Sequence, residues 1–198
     1  HNGTSGSLEY FHLNSTGIVV LTIVDDHATN IVGKSCDIEL DARERARIAY
    51  LDVTTNELKF AIDTPHHYVD FQDWHVRTVT EFGTVSAPID LVILSGDEDI
   101  TGGAGTDFVL WMESGTNHLH ASYYTSTYWE HESVIESAIE GFSARQEGNS
   151  IRILHEVSGL IRTAEWPSMN MTNIDAGAYI VAPLDDAGQG DDIQTVYA

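Results

Sequence analysis

Apolar and polar residues alternate in short runs along most of the chain, and Gly, Asp, Asn and Pro separate the runs. Residues 57–63 alternate cleanly and residues 47–53 offer two faces, so the sequence predicts a hairpin over 47–63. Further strands are predicted at 18–24, 74–82, 89–95, 108–113, 118–124, 151–157, 159–164, 178–183 and 192–197. Roughly ten strands with short turns indicate a mainly β protein of the sandwich, jelly-roll or barrel type, and we expect an antiparallel β-sandwich or jelly-roll-like domain.

One segment departs from this pattern. Its apolar residues recur at helical spacing, and glutamates occupy the remaining positions; these apolar residues are Val134, Ile135, Ala138, Ile139 and Phe142. Gly148 and Asn149 then supply a stop signal. The sequence therefore predicts one amphipathic helix at about 130–144, packed on a sheet.

The longest apolar-rich run, residues 18–24, is interrupted only by Thr22, as expected for a strand covered on both faces. A polar segment precedes it, so we expect an N-terminal arm at 1–16 and a single β-sandwich domain at 17–198. Residues 17–24 are then a candidate strand for completing the sheet of a neighbouring subunit. This predicted assembly strand comprises Ile18, Val19, Val20, Leu21, Ile23 and Val24. The alternative is the first core strand of a monomer.

Composition limits the partners that this chain can have. Its 198 residues include 31 Asp and Glu against 9 Lys and Arg, which gives a formal net charge of −22. Nucleic-acid binding and docking on an anionic membrane both require basic surfaces, so we expect neither. Since no run approaches the roughly 20 apolar residues of a membrane helix, we expect no membrane insertion. Abundant carboxylates with only two lysines favour a protein adapted to a salty medium, where charge repulsion is screened.

The single cysteine, Cys36, cannot form a disulfide within the chain. It lies in an alternating segment, and we expect it to be a small buried apolar residue and not a reactive thiol.

A glycine-rich, acidic segment carries the most specific local motif. Residues 102–110 fit the calcium-binding nonapeptide G-G-x-G-x-D-x-U-x and resemble one turn of an RTX-type β-roll. The preceding nine residues keep only part of the pattern, so a whole β-roll domain is not indicated. The candidate calcium ligands are Asp97, Glu98, Asp99 and Asp107. A solvated hairpin loop is the alternative.

Two histidines and three sequons complete the candidate sites. On a strand, His118 and His120 would share one face, as in cupin-type metal sites, but the glutamate that completes the cupin pattern is absent. Surface histidines are the alternative. Candidate glycosylation sites of the N-x-[ST] type are Asn2, Asn14 and Asn170.

No nucleophile elbow, phosphate-binding loop or zinc-protease helix is present in the sequence, so we expect no enzymatic activity. The chain begins at His1, which favours a cleaved product. Together these features predict a structural subunit that assembles with copies of itself into an extracellular, pilus-like filament or sheath in a saline environment. A virion protein (capsid, decoration or tail-tube subunit) is the alternative within this class.

A protein of another class is also compatible with the sequence, namely a secreted calcium- or carbohydrate-binding module. Flat aromatic side chains stack on sugars, so this hypothesis expects exposed aromatic residues on one face. The residues concerned are Trp74, Trp111, Trp129 and Tyr128.

Overall fold

The structure is a computed structural model. It describes residues 6–13, 16–26, 31–41, 44–65, 72–80, 85–94, 106–124, 128–135, 138–147, 150–166 and 182–183. These residues form fourteen β-strands: β1 (Leu8–Leu13), β2 (Val19–Asp25), β3 (Val32–Leu40), β4 (Ala46–Asp52), β5 (Glu57–Pro65), β6 (Gln72–Thr80), β7 (Val85–Leu94), β8 (Thr106–Glu113), β9 (Leu119–Tyr124), β10 (Trp129–Ile135), β11 (Gly141–Glu147), β12 (Ser150–Val157), β13 (Leu160–Trp166) and β14 (Ala182–Pro183).

The prediction of a mainly β protein with several antiparallel sheets is confirmed. Three sheets have four strands each, in the orders β3-β4-β5-β6, β7-β8-β9-β10 and β11-β12-β13-β14, and β1 pairs with β2 in a two-stranded sheet. Strands in the described sheets therefore pair with their neighbours in sequence, as in a meander. The predicted hairpin over 47–63 is also confirmed, because β4 and β5 pair antiparallel around a turn in which Asn56 has φ 56°.

The prediction of an amphipathic helix at about 130–144 is wrong, because β10 and β11 occupy most of this segment. Val134, Ile139 and Phe142 are buried, as their helical spacing suggested, but they reach one core from separate elements. A register shift near the end of β10 and the connection to β11 break the two-residue alternation. The interrupted strand pattern therefore imitates a period of 3.6 residues, and Ala138, which the helix would bury, is exposed.

By its internal contacts the chain divides into two compact units, residues 1–85 and residues 86–198. In the first unit, β4 is buried at all seven positions, as expected for a strand covered on both faces. The core of this unit combines β1, β2 and the sheet β3–β6, and Tyr10 and Trp74 pack against it. Its buried members are Leu8, Val24, Val32, Ile48, Tyr50 and Ala61.

In the second unit, the sheets β7–β10 and β11–β14 contribute side chains to one apolar core. Phe108, Leu110 and Leu119 come from the first of these sheets, and Ile151 and Ile153 come from the second. The Ile139 N–H donates to the Asn117 carbonyl at 3.0 Å, and the Ala144 N–H donates to Asp90 Oδ2 at 2.5 Å. Main-chain and side-chain hydrogen bonds thus join the two sheets at the margin of their core.

Among the described residues, no helix is long and apolar enough to cross a membrane.

Candidate functional site

The β1–β2 ribbon is the first candidate site, because one of its faces is apolar and open to solvent. Antiparallel pairing places Phe11 opposite Leu21 and Leu13 opposite Val19. Successive side chains of a strand point to opposite faces, so these residues and Ile23 lie on one side of the ribbon. We call this side the outer ribbon face; its members are Phe11, Leu13, Val19, Leu21 and Ile23.

The outer ribbon face is exposed at every position. Its five side chains keep between 50% and 68% of their surface accessible, and Ile18, just before β2, keeps 61%. Single exposed apolar residues are ordinary on a protein surface, but contiguous apolar patches mark interaction sites. The ribbon therefore presents a surface that a partner can cover.

The inner ribbon face packs on the unit's own sheet. Tyr10 contacts Trp74 edge to face, with ring centroids 5.2 Å apart, and the Trp74 indole N–H donates to Thr22 Oγ1 at 3.4 Å. Leu8 and Val24 are buried in the core. One side of the ribbon is thus fixed by packing, and the outer ribbon face points away from that packing.

A buried ionic cluster holds the end of β2. The Tyr50 hydroxyl donates to Asp25 Oδ2 at 2.6 Å, and Lys59 Nζ lies 3.4 Å from the same oxygen and 2.9 Å from Asp52 Oδ2. Burial raises the pKa of the Tyr50 hydroxyl, and its hydrogen bond to Asp25 raises it further. Burial lowers the pKa of the Lys59 ammonium, but its bonds and charge interactions with Asp52 and Asp25 outweigh this effect, so the pKa is raised. The ammonium therefore stays charged and ties β2 to β4 and β5.

The structure places the predicted assembly strand in this ribbon. Val19, Leu21 and Ile23 lie on the outer ribbon face, whereas Val20 is half-buried and Val24 is buried. Within its own chain the strand already has a partner, because β2 pairs with β1 along its length.

Strand β3 carries a second, smaller exposed apolar stripe. Cys36, Ile38 and Leu40 are exposed on alternate positions, while Asp37 and Glu39 between them are half-buried. The expectation that Cys36 is buried is therefore wrong. The reason is that β3 has the reverse of the usual pattern, with its apolar side chains outward. Partial desolvation raises the pKa of the Cys36 thiol.

A second candidate site lies in the second unit, on the side of the β8–β10 sheet that faces away from the core. The Trp111 indole N–H donates to Ser122 Oγ at 2.8 Å, and Ser122 Oγ lies 2.8 Å from His131 Nδ1. His120 stacks on Trp111, with ring centroids 4.7 Å apart, and its Nε2 lies 3.6 Å from Glu113 Oε2. Three strands thus contribute to one aromatic and histidine cluster.

The Ser122–His131 pair is a structural contact and not a nucleophile with its base. Ser122 is fully buried, so no substrate can reach its hydroxyl. This hydroxyl accepts the Trp111 N–H and has both a proton and a second lone pair left for His131 Nδ1, so the imidazole tautomer decides which of the two donates. Burial lowers the pKa of His131, and the neighbouring His120 lowers it further, in agreement with a neutral ring.

The candidate metal ligands are not brought together among the described residues. His118 lies just before β9 and His120 lies within it, and no group of three His, Cys, Asp or Glu side chains in the described part of the chain has a geometry for metal. Asp107 lies in β8 with 2% of its surface exposed. Asp97, Glu98 and Asp99 lie outside the described residues, so calcium binding stays a prediction. The sequon residues Asn2, Asn14 and Asn170 also lie outside them.

The four aromatic residues of the carbohydrate hypothesis have different environments. Tyr128 is 60% exposed, and its neighbour Trp129 is half-buried against Tyr124, with ring centroids 5.5 Å apart. Trp111 is buried, and Trp74 belongs to the other unit, where it packs on Tyr10. Of these four residues, the one whose ring is mostly exposed is Tyr128, which lies between β9 and β10.

Sequence reasoning missed two of the five residues of the outer ribbon face. Phe11 and Leu13 come from β1, which lies within the N-terminal arm that the sequence predicts at 1–16. The signal was present, since Leu8, Phe11 and Leu13 make residues 8–13 as apolar as several predicted strands. The partners Tyr50 and Lys59 could not be found in this way, because they join β2 only through the fold.

Comparisons with known proteins give a structural similarity but no family. No family model matches the chain, and no curated protein does. Among solved structures, the chain is similar to a crystal structure of an arginine-to-alanine triple mutant of AofleA from Arthrobotrys oligospora, with a TM-score of 0.49 and 9% sequence identity. This similarity covers 91% of the chain and 54% of that structure, so the chain spans about half the length of the protein it matches. Similarity at this level establishes neither a family nor a function.

Proposed function

We propose that this protein is a non-enzymatic structural subunit that assembles with copies of itself through the outer ribbon face. The observation that carries the proposal is a row of five apolar side chains, each at least half exposed, on a ribbon whose other face is packed. Leaving such a face in water is unfavourable, by about 25 cal/mol for each Å² of apolar surface. Covering it with another subunit recovers that free energy.

The contacts of β2 favour association by surface packing over exchange of the strand. Donating residues 17–24 to a neighbour would break the pairing with β1, the Trp74–Thr22 hydrogen bond and the buried cluster around Asp25. Packing through the outer ribbon face keeps all of these contacts.

The setting that fits this role is an extracellular filament or sheath in saline medium. The acidic composition supports a salty environment, and a sandwich arrangement in the second unit, with two sheets around one core, suits a rigid subunit. A virion subunit remains the alternative within the same class.

Leu21→Glu tests the assignment of the surface. It places a charge in the middle of the outer ribbon face, where the side chain is half exposed, so the fold should survive and association should be lost. The matched control is Leu160→Glu, which adds the same charge at a leucine 56% exposed in the second unit. Sedimentation velocity in concentrated NaCl should show assembled wild type and L160E but monomeric L21E. Equal assembly of all three proteins would contradict the proposal.

A second candidate function is carbohydrate binding at the β9–β10 hairpin, favoured by exposed Tyr128 beside the Tyr124–Trp129 pair. An aromatic ring open to solvent offers a stacking platform for a sugar, and its hydroxyl can hydrogen-bond to it. Glycan-array binding that is abolished by Tyr128→Ala, with Leu160→Ala unchanged, would support this function; no binding to any glycan would remove it.

A further inference from the structure

We infer that the first contact in assembly is a two-fold pairing of outer ribbon faces, so that the building block is a dimer, and that ionic strength controls its formation. This inference rests on the proposed function. It adds how two outer ribbon faces pair and how salt concentration controls the pairing. The partner is a second copy of this chain.

The arrangement of side chains suits a self-complementary contact. The ribbon is antiparallel, and its outer face is built from the cross-strand pairs Phe11–Leu21 and Leu13–Val19. Turning such a face by 180° exchanges one strand with the other and leaves an apolar surface of similar shape. A contact of this kind is isologous, so it closes after two copies.

The area agrees with a dimer. From their exposed fractions, the five side chains of the outer ribbon face offer roughly 600 Å², at the upper end of the largest patch on an ordinary monomer. Two copies would bury roughly 1,200 Å² together, which reaches the lower end of specific protein interfaces.

The charges explain why the pairing should depend on salt. Among the described residues of β1 and β2, Asp25 is buried, and the ionisable residue left on the outer side is Glu9, opposite Ile23 near the end of the ribbon, so the contact need not bury a further charge. Each copy nevertheless carries a formal charge of −22, and two such molecules repel each other at a distance. The Debye length falls from about 30 Å at 0.01 M salt to about 3 Å at 1 M, which removes this repulsion.

Sedimentation equilibrium of the full chain over a series of NaCl concentrations tests the inference. The expected result is a monomer in dilute salt and, in concentrated salt, a plateau at twice the monomer mass over a range of protein concentration before any larger assembly forms. L21E and L21K should both weaken pairing, by about 100-fold, while L160E should not. Leu21→Lys is informative because it lowers the net negative charge. If charge repulsion between the two copies were all that limits pairing, this variant would pair more strongly than wild type.

A second variant separates screening from a general salting-out of apolar surface. Asp26, Glu44 and Glu140 are exposed. Changing all three to their amides gives a charge of −22 + 3 = −19 without altering the outer ribbon face. If screening is the cause, D26N/E44Q/E140Q should pair at lower NaCl than wild type, whereas an unchanged midpoint would overturn the electrostatic control.

The outcomes distinguish this inference from the proposed function. A mass that grows with concentration without a plateau at the dimer, and that L21E abolishes, would overturn the two-fold pairing but retain assembly through the outer ribbon face. A monomer at every salt concentration would overturn both, and the face would then belong to a different partner.

Discussion

Single buried residues affect the stability of each of the two units. His155 is the clearest example in the second unit, because its ring is 1% exposed on the side of β12 that also carries Ile151 and Ile153. Its Nδ1 has no hydrogen-bond partner among the residues that the structure describes. Burial lowers its pKa to about 4, and the nearby Arg162 contributes in the same direction.

Because the folded protein holds His155 neutral, acid should destabilise the second unit. The contribution is fully present above the ordinary pKa of 6.5 and is lost as pH falls from there toward about 4. The loss amounts to at most about 3 kcal/mol. Urea unfolding at several pH values should show this decrease, and His155→Gln should flatten it. The exposed His75 serves as the control position, and an H75Q variant with the same flattened profile would contradict the assignment.

Gly33 illustrates a backbone requirement in the first unit. It has φ 75°, and a Cβ there would lie 2.7 Å from Leu8 Cδ1 in the core. Gly17 has nearly the same φ, 77°, but open space around it. Gly33→Ala should therefore cost about 2–4 kcal/mol of unfolding free energy, against about 1–2 kcal/mol for Gly17→Ala, which carries only the conformational strain. Chemical denaturation measures the difference, and equal losses would mean that Leu8 moves aside without cost.

At the scale of elements, the position of a strand depends on a few contacts between residues that are far apart in the sequence. The cluster of Asp25, Tyr50, Asp52 and Lys59 joins three strands, and all four side chains are buried. Lys59 is one of two lysines in the whole chain, so its place in the interior follows from the two carboxylates beside it.

Removing the ammonium should be costly. Lys59→Met would leave two carboxylates buried without a positive charge, and we expect a loss of about 3–5 kcal/mol in the free energy of unfolding. Tyr50→Phe removes one hydrogen bond from the same cluster and should cost less, about 1.5–3 kcal/mol. Denaturant titration of both variants ranks them, and a K59M variant as stable as wild type would show that the cluster does not hold β2.

Much of the sheet structure could be predicted from the sequence, since alternation marks β5, β9 and β12 directly, and short apolar runs mark β4 and β8. The sequence predicts a helix at about 130–144 because a register shift near the end of β10 and the connection to β11 interrupt the strand alternation, and two interrupted alternations resemble one helical stripe. The outer ribbon face could be predicted only in part. A continuous apolar run such as 18–24 shows that a strand is apolar on both sides, but which side stays exposed depends on what the inner side packs against, here Tyr10 and Trp74.

For the whole molecule, the net charge is the dominant property. Thirty-one acidic residues against nine basic ones must be accommodated on one small chain, and repulsion among them favours expansion. The same screening that permits pairing should therefore also stabilise each unit.

The melting temperature should rise by several degrees between about 0.01 M and 1 M NaCl, because repulsion in the folded state is progressively screened. Differential scanning calorimetry measures this, with the non-paired L21E variant used to separate folding from association. A melting temperature of L21E that is independent of salt would show that the charges are too dispersed to affect stability.

The outward position of Cys36 on β3 has a practical consequence. The molecule has one thiol, and that thiol is accessible, so a maleimide probe attaches at a single known point. The thiolate is the form that reacts, and the pKa of this thiol is raised, so labelling proceeds faster under mildly alkaline conditions. Spin labels introduced there report the separation between two paired copies directly, and a single sharp distance would indicate that the two copies pair in one defined arrangement.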